Sequence, residues 1–167
     1  KGNLNNHLGV PFTLLELNAT HEIAVIEMGA NKPGDIKELV EIAEPNFGLI
    51  TNIGKAHIEG FGSAQGVIDT KTEMYEFIDQ SKGEIFYNAN DSILVDYLPK
   101  VNTHSYGESD ADITGELVSL TPFVNFKWKS NTEKSDVIKS NLIGHYNFIN
   151  FLTAVSIGKY FGVSNSQ

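Results

Sequence analysis

Two rhythms of hydrophobic and polar positions run along this chain. "EIAVIEM", Glu22 to Met28, is a short apolar run rich in β-branched side chains and predicts a buried strand. "GANKPGD" follows it as a turn cluster. Ile36, Leu39, Val40 and Ala43 recur at helical spacing from Asp35 onward, and Pro45 stops that helix. "FGLITNI", Phe47 to Ile53, predicts a second buried strand, and "GKAHIEGFGS" a glycine-bearing loop. Ser63 is placed to cap the helix that follows, whose stripe contains Ala64, Val67, Ile68, Met74, Tyr75 and Ile78. "GEIFYNAND" reads as a third strand ending in a polar turn, Asp91 to Leu98 as a short helix, and "NTHSYG" as a fourth strand. From Asp112 to Leu142 the rhythm changes to period two. Val124, Phe126 and Trp128 point one way, and Asn125, Lys127 and Lys129 the other. "SNTE" is a turn candidate, "KSDVIKSNLI" a returning strand, and "HYNFINFLTAVSIGKYF" a mostly buried helix.

Strands alternating with helices imply a parallel sheet, and the later alternation a smaller antiparallel one. The expected fold is therefore α/β: a three-layer, doubly wound, mainly parallel sheet with a small antiparallel sheet attached. We expect a single domain over residues 1–167. Its parallel part covers about 1–107 plus a helix at 146–162, and its antiparallel part about 112–142. In such sheets ligands bind beyond the C-terminal strand ends, which here means the segments after Met28, Ile53 and Tyr87.

The 167 residues suit one domain with a sizeable core; 41% are hydrophobic and 20% charged. The formal net charge of −9 disfavours nucleic acid and anionic membranes. An anionic ligand would have to be held by local features such as helix N-termini, backbone amides or metal ions. Cysteine is absent, which excludes disulfides and thiolate metal sites and fits a cytoplasmic protein. No signal peptide and no membrane-length apolar run is visible. Asn18-Ala19-Thr20 matches a glycosylation sequon but has no secretory signal to give it meaning. "KGNLNN" begins like the middle of a loop and "YFGVSNSQ" ends just after a helix, so a fragment of a longer enzyme is expected.

Several residues interrupt the pattern in chemically useful ways. Glu27 is polar within a run otherwise fit for burial, on the ligand side of the sheet; a solvated strand-end carboxylate is the alternative. His57 follows the second strand at the same sheet edge. A loop histidine is commonly structural, but a histidine and a carboxylate can share a metal. Lys71 sits where the α-helical stripe asks for an apolar side chain. It either snorkels to water or keeps a partly desolvated amine with a lowered pKa. A neutral amine could take up carbon dioxide, and the resulting carbamate would suit Mg²⁺. Gly60, Gly62 and Gly66 miss the dinucleotide fingerprint by one residue and support only a flexible turn into a helix N-terminus. No G-x-x-x-x-G-K-[ST] phosphate loop is found. Asn147 and Asn150 share a helix face and could read a base or ribose, or simply cap the helix. The asparagines of "KGNLNN" fit turn chemistry or the presentation of amides to a phosphate or sugar.

Taken in order, "GNLNNHLGVPFTLLEL", "VIEMGAN", "LITNIGKAHIEGFGS", the Lys71 helix, "NAND" and "GHYNFINFLTAV" resemble the central, ATP-binding domain of the Mur ligases over essentially the whole chain. "EMGAN" and "AHIEGFGS" point to the members that add D-alanyl-D-alanine. The resemblance implies an ATP-dependent carboxylate–amine ligase of peptidoglycan precursor synthesis in the bacterial cytoplasm. ATP phosphorylates the terminal carboxylate of UDP-N-acetylmuramoyl-tripeptide. The amine of D-alanyl-D-alanine then attacks the acyl phosphate. It further implies Glu27 and His57 as magnesium ligands, and Lys71 as a carbamylated lysine serving a second Mg²⁺. Lys71 and His57 are the catalytic candidates, Asn5 and Asn6 face substrate, and Asn147 and Asn150 lie on the adenine side of ATP. The family's histidine before the first of those asparagines is Tyr146 here, with His145 one place earlier, so either ring could pack on adenine. The phosphate loop and the family's N- and C-terminal domains are expected outside this chain, which alone is expected to be inactive. A metal-dependent phosphohydrolase and a non-catalytic binding domain are the rival readings.

Overall fold

The computed structural model describes residues 4–54 and 58–165. The chain forms two compact units. The first comprises Lys1–Gly48, Ile53–Glu84 and Pro99–Val101; the second comprises Leu49–Asn52, Ile85–Leu98 and Asn102–Gln167.

The first unit is largely helical. Helix α1 spans Gly9–Leu15, α2 Asp35–Ala43, α3 Ile58–Phe61 and α4 Ala64–Ser81. Helix α2 lies between α1 and α4, and α3 packs on α4. Ile36, Leu39 and Val40 of α2 and Val67, Tyr75 and Ile78 of α4 are buried together with Val10 of α1. This is the apolar stripe that helical spacing predicts, removed from water by facing helices. Ser63 caps α4 as expected, its hydroxyl accepting from the Gly66 N–H at 3.0 Å. Helix α2 ends in a left-handed Glu44, immediately before the Pro45 that blocks its continuation. Helix α1 was not evident in the hydrophobic pattern. Its start is organised by Asn6, whose side-chain oxygen accepts from the Leu8 and Gly9 N–H groups.

The Glu22–Met28 strand is a correction. That segment carries no strand pairing, and Val25 is 88% exposed and Ile23 53% exposed. A β-branched apolar run records an ability to pair and be covered; burial also requires a neighbouring strand, and none of the described strands adjoins it.

Most of the sheet residues belong to the second unit. Strand β1 (Phe47–Leu49) is shorter than the predicted Phe47–Ile53. Then come β2 (Glu84–Asn88), helix α5 (Ser92–Asp96), β3 (Asn102–Gly107), β4 (Ile113–Ser119), β5 (Asn125–Lys129), β6 (Ile138–Lys139) and helix α6 (His145–Tyr160). The six strands lie in the order β1-β2-β3-β4-β5-β6. The fold is mixed α/β with a mostly parallel sheet. Helical segments connect β1 to β2 and β2 to β3, the kind of connection parallel neighbours need. β3 and β4 are parallel over Tyr106↔Ile113 and Gly107↔Thr114. This short pairing is locked by a clamp in which Ser105 donates its N–H and hydroxyl to Asp112 Oδ2, at 2.8 and 2.7 Å. β5 pairs antiparallel with both β4 and β6, which makes the small antiparallel sheet expected from the alternation. Val124, Phe126 and Trp128 are buried, as period two requires. Helix α6 packs on β3 and β4 through Phe148 and Leu152. Gly115 of β4 makes this approach possible, since a Cβ there would lie 2.5 Å from Leu152 Cδ2 and 2.7 Å from Phe148 Cζ.

Candidate active site

Glu27 lies in the irregular segment that precedes the bend and turn at residues 31–34, with an exposed side chain. The Asn5 side-chain amide donates to its Oε1 at 2.8 Å. The Asn5 carbonyl in turn accepts from the Gly29 N–H at 2.7 Å. Among the described residues, the second carboxylate oxygen of Glu27 has no hydrogen-bond partner.

The turn after Glu27 is held by two further carboxylates. Asp35 Oδ2 accepts from the N–H groups of Asn31 and Lys32, at 2.9 and 3.1 Å. Glu73 reaches over from α4 and accepts from the Gly34 N–H through Oε1 and the Lys37 N–H through Oε2, both at 2.8 Å. Gly34 is left-handed at φ 87°, a conformation glycine adopts without strain. The first-turn amides of α2 have no partner within the helix, and Glu73 supplies one while placing negative charge at the positive helix end. The sequence pattern gave no signal for Glu73, because a glutamate on a helix face is ordinarily a solvated one. Gly60 of α3 brings another wall close: a Cβ there would overlap the Asn31 carbonyl.

Lys71 stands two residues before Glu73 on the same helix. It is half-buried and flanked by the buried Thr70 and Thr72. Burial lowers its pKa from the usual lysine value, because desolvation disfavours the ammonium. Asn5, Glu27 and Lys71 thus belong to the first unit. Asn6 spends its side-chain oxygen on the start of α1. His57 lies outside the described residues. Among the described residues, no group of three or more His, Cys, Asp and Glu side chains could hold a metal ion. One exposed carboxylate oxygen nevertheless fits Mg²⁺, which usually keeps several waters and takes only one or two protein carboxylates besides a substrate phosphate.

Asn147 and Asn150 lie on α6 in the second unit. The Asn147 amide donates to the Ile143 carbonyl at 2.8 Å, so this side chain helps close the helix start. Asn150 is exposed. The two rings at this end differ. His145 Nε2 is 3.3 Å from Glu108 Oε1, and its ring meets Phe148 edge-on at 5.7 Å. Tyr146 is 66% exposed. The Glu108 N–H donates to Asn90 Oδ1 at 2.6 Å, so the "NAND" turn braces the loop that holds His145.

The fold is a mixed α/β one with a mostly parallel sheet, and the comparisons narrow the class. The Mur ligase middle domain family matches residues 1–158, and the chain belongs to that family. It is 33% identical to the UDP-N-acetylmuramoyl-tripeptide–D-alanyl-D-alanine ligase of Escherichia coli strain K12, covering 98% of this chain and 37% of that protein. It is 30% identical to the ligase of the same name from Bacillus subtilis strain 168, covering 98% of this chain and 35% of the relative. A crystal structure of MurF from Acinetobacter baumannii superposes with a TM-score of 0.85 at 32% identity, covering 99% of this chain and 37% of that one. The chain therefore spans little more than a third of the length of these relatives. Among its described residues, no helix is long and apolar enough to cross a membrane.

Proposed function

We propose that this chain is the central, ATP-binding part of a ligase that joins UDP-N-acetylmuramoyl-tripeptide to D-alanyl-D-alanine in peptidoglycan precursor synthesis, in the cytoplasm. The observation that carries this reading is the identity, over 98% of the chain, to two ligases of that name. Residues 1–167 act as one domain of the larger enzyme. The γ-phosphate of ATP passes to the terminal carboxylate of the tripeptide. The free amine of D-alanyl-D-alanine then attacks the acyl carbon, and the tetrahedral intermediate releases phosphate as the amide forms.

The residues take the following parts. Glu27 offers its unengaged carboxylate oxygen to Mg²⁺, and His57 joins it as a ligand. Bound Mg²⁺ supplies stabilisation of the negative charge that builds on phosphoryl and carboxylate oxygens. Lys71 is poised for carbamylation: its lowered pKa favours the neutral amine, which adds to carbon dioxide and loses a proton. The carbamate carries two oxygens for a second Mg²⁺. Asn150 and the exposed Tyr146 ring face the adenine of ATP, while His145 is committed to Glu108.

The test uses the full gene product that contains this chain. Release of ADP and phosphate should require both UDP-N-acetylmuramoyl-tripeptide and D-alanyl-D-alanine, and the product mass should equal their condensation. Phosphate release that does not need D-alanyl-D-alanine would support the phosphohydrolase reading instead.

A further inference from the structure

We infer that Asn5 is a positioning residue that pre-orients the Glu27 carboxylate, not a residue that faces substrate; this rests on the proposed role of Glu27 as a magnesium ligand. Three observations carry it. The Asn5 amide N–H is committed to Glu27 Oε1 at 2.8 Å. The Asn5 backbone is committed as well, because its carbonyl accepts from the Gly29 N–H at 2.7 Å. Gly29 lacks a Cβ where one would stand 2.8 Å from Asn5 Nδ2. A two-point clamp thus joins residue 5 to both Glu27 and the residue two places beyond it.

The physical need is clear. An exposed glutamate has several freely rotating torsions, and a metal site on such a side chain must order them on binding. Asn5 orders them beforehand. Its amide occupies one oxygen and leaves the other for the cation, which favours one-oxygen coordination. The amide N–H₂ group has no lone pair to give a metal, so through this group Asn5 reaches a cation only by way of Glu27. Ligating carboxylates are usually held in this way, and losing the partner weakens metal affinity. Asn6, next in sequence, does something different: it caps the start of α1.

The experiment uses Mn²⁺ as the probe on the full gene product, with bound and free ion separated by electron paramagnetic resonance. Asn5→Ala should weaken Mn²⁺ about tenfold and raise the Mg²⁺ needed for half-maximal ligation by a similar factor. Saturating Mg²⁺ should restore kcat, and KM for UDP-N-acetylmuramoyl-tripeptide should stay near the parent value. Gly29→Ala, which pushes the amide aside without removing it, should give the same pattern and decides the matter if Asn5→Ala fails to fold. Unchanged Mn²⁺ affinity with a raised tripeptide KM in either variant would overturn the inference and return Asn5 to the substrate. Glu27→Gln separates the two levels. If it leaves Mn²⁺ affinity intact, the metal role of Glu27 fails. If it weakens Mn²⁺ while Asn5→Ala and Gly29→Ala do not, only the positioning role fails.

Discussion

Glu73 offers the most direct check on how the turn after Glu27 is held. Glu73→Ala removes two charge-assisted hydrogen bonds, both 2.8 Å long, from the amides of Gly34 and Lys37. Gly34 and Lys37 are exposed, so water replaces the lost acceptor and no buried donor is orphaned. The magnitude is therefore that of a lost helix N-cap, about 1 kcal/mol, and not the larger penalty of a stranded buried amide. A local loss of about 1 kcal/mol corresponds to about fivefold faster hydrogen exchange of the amides that open with this turn. Exchange measured by mass spectrometry over residues 31–38 is the suitable assay, because a global melt of a multidomain protein does not report one turn. Glu73→Gln keeps one acceptor and loses the charge, so it should fall between alanine and the parent. Part of the effect should weaken in high salt, since it includes a charge–helix interaction. Exchange in Glu73→Ala that matches the parent would refute the claim that this carboxylate holds the turn.

Lys71→Met keeps the stem and removes the amine, so ligation by the full gene product should be abolished and added bicarbonate should not restore it; retained activity would exclude the carbamate. The same substitution has a stability signature. Because the folded-state pKa of Lys71 lies below the unfolded value, the unfolded chain binds more protons between the two, and stability contributed by this group rises with pH through that window. Lys71→Met should flatten that rise, read from denaturant midpoints at a series of alkaline pH values, and an unchanged pH slope would contradict it. Gly115→Ala drives a methyl against Leu152 and Phe148, both fully buried, and should destabilise by about 1–3 kcal/mol through overpacking; denaturant unfolding of the second unit checks it. Tyr146→Ala should raise KM for ATP while leaving KM for D-alanyl-D-alanine unchanged, and His145→Ala should have the smaller effect on ATP.

Much of the architecture was legible because it follows from short-range periodicity. The spacing of Val67, Tyr75 and Ile78 gave α4, Ser63 marked its start, and the alternation through Val124, Phe126 and Trp128 gave β5 with its inward face. Each depends on which side of a helix or strand a residue occupies, and that is set by local geometry. Lys71 stood out for the same reason, as the wrong chemistry at a predictable position, and Glu27 as a charge inside an apolar run. The failures share a different cause. "EIAVIEM" has the composition of a buried strand, but its exposure depends on whether another strand lies alongside, which no local pattern records. Helix α1 was missed because its order comes from Asn6 folding back on the Leu8 and Gly9 amides.

What the sequence by itself determined was the class of fold, the family and the residue types able to do chemistry. What only the tertiary structure decided was how those residues are committed. Asn5 and Asn6 are neighbours with the same side chain, yet one orients a carboxylate 22 residues away and the other caps a helix. Glu73 looks like any surface glutamate until the N-terminus of α2 is set against it. His145 and Tyr146 stand side by side, yet among the described residues it is the His145 ring that meets Glu108, at 3.3 Å. A side chain's hydrogen-bonding capacity is written in its type, whereas its partner is chosen by distance and direction, and these exist only once the chain has folded.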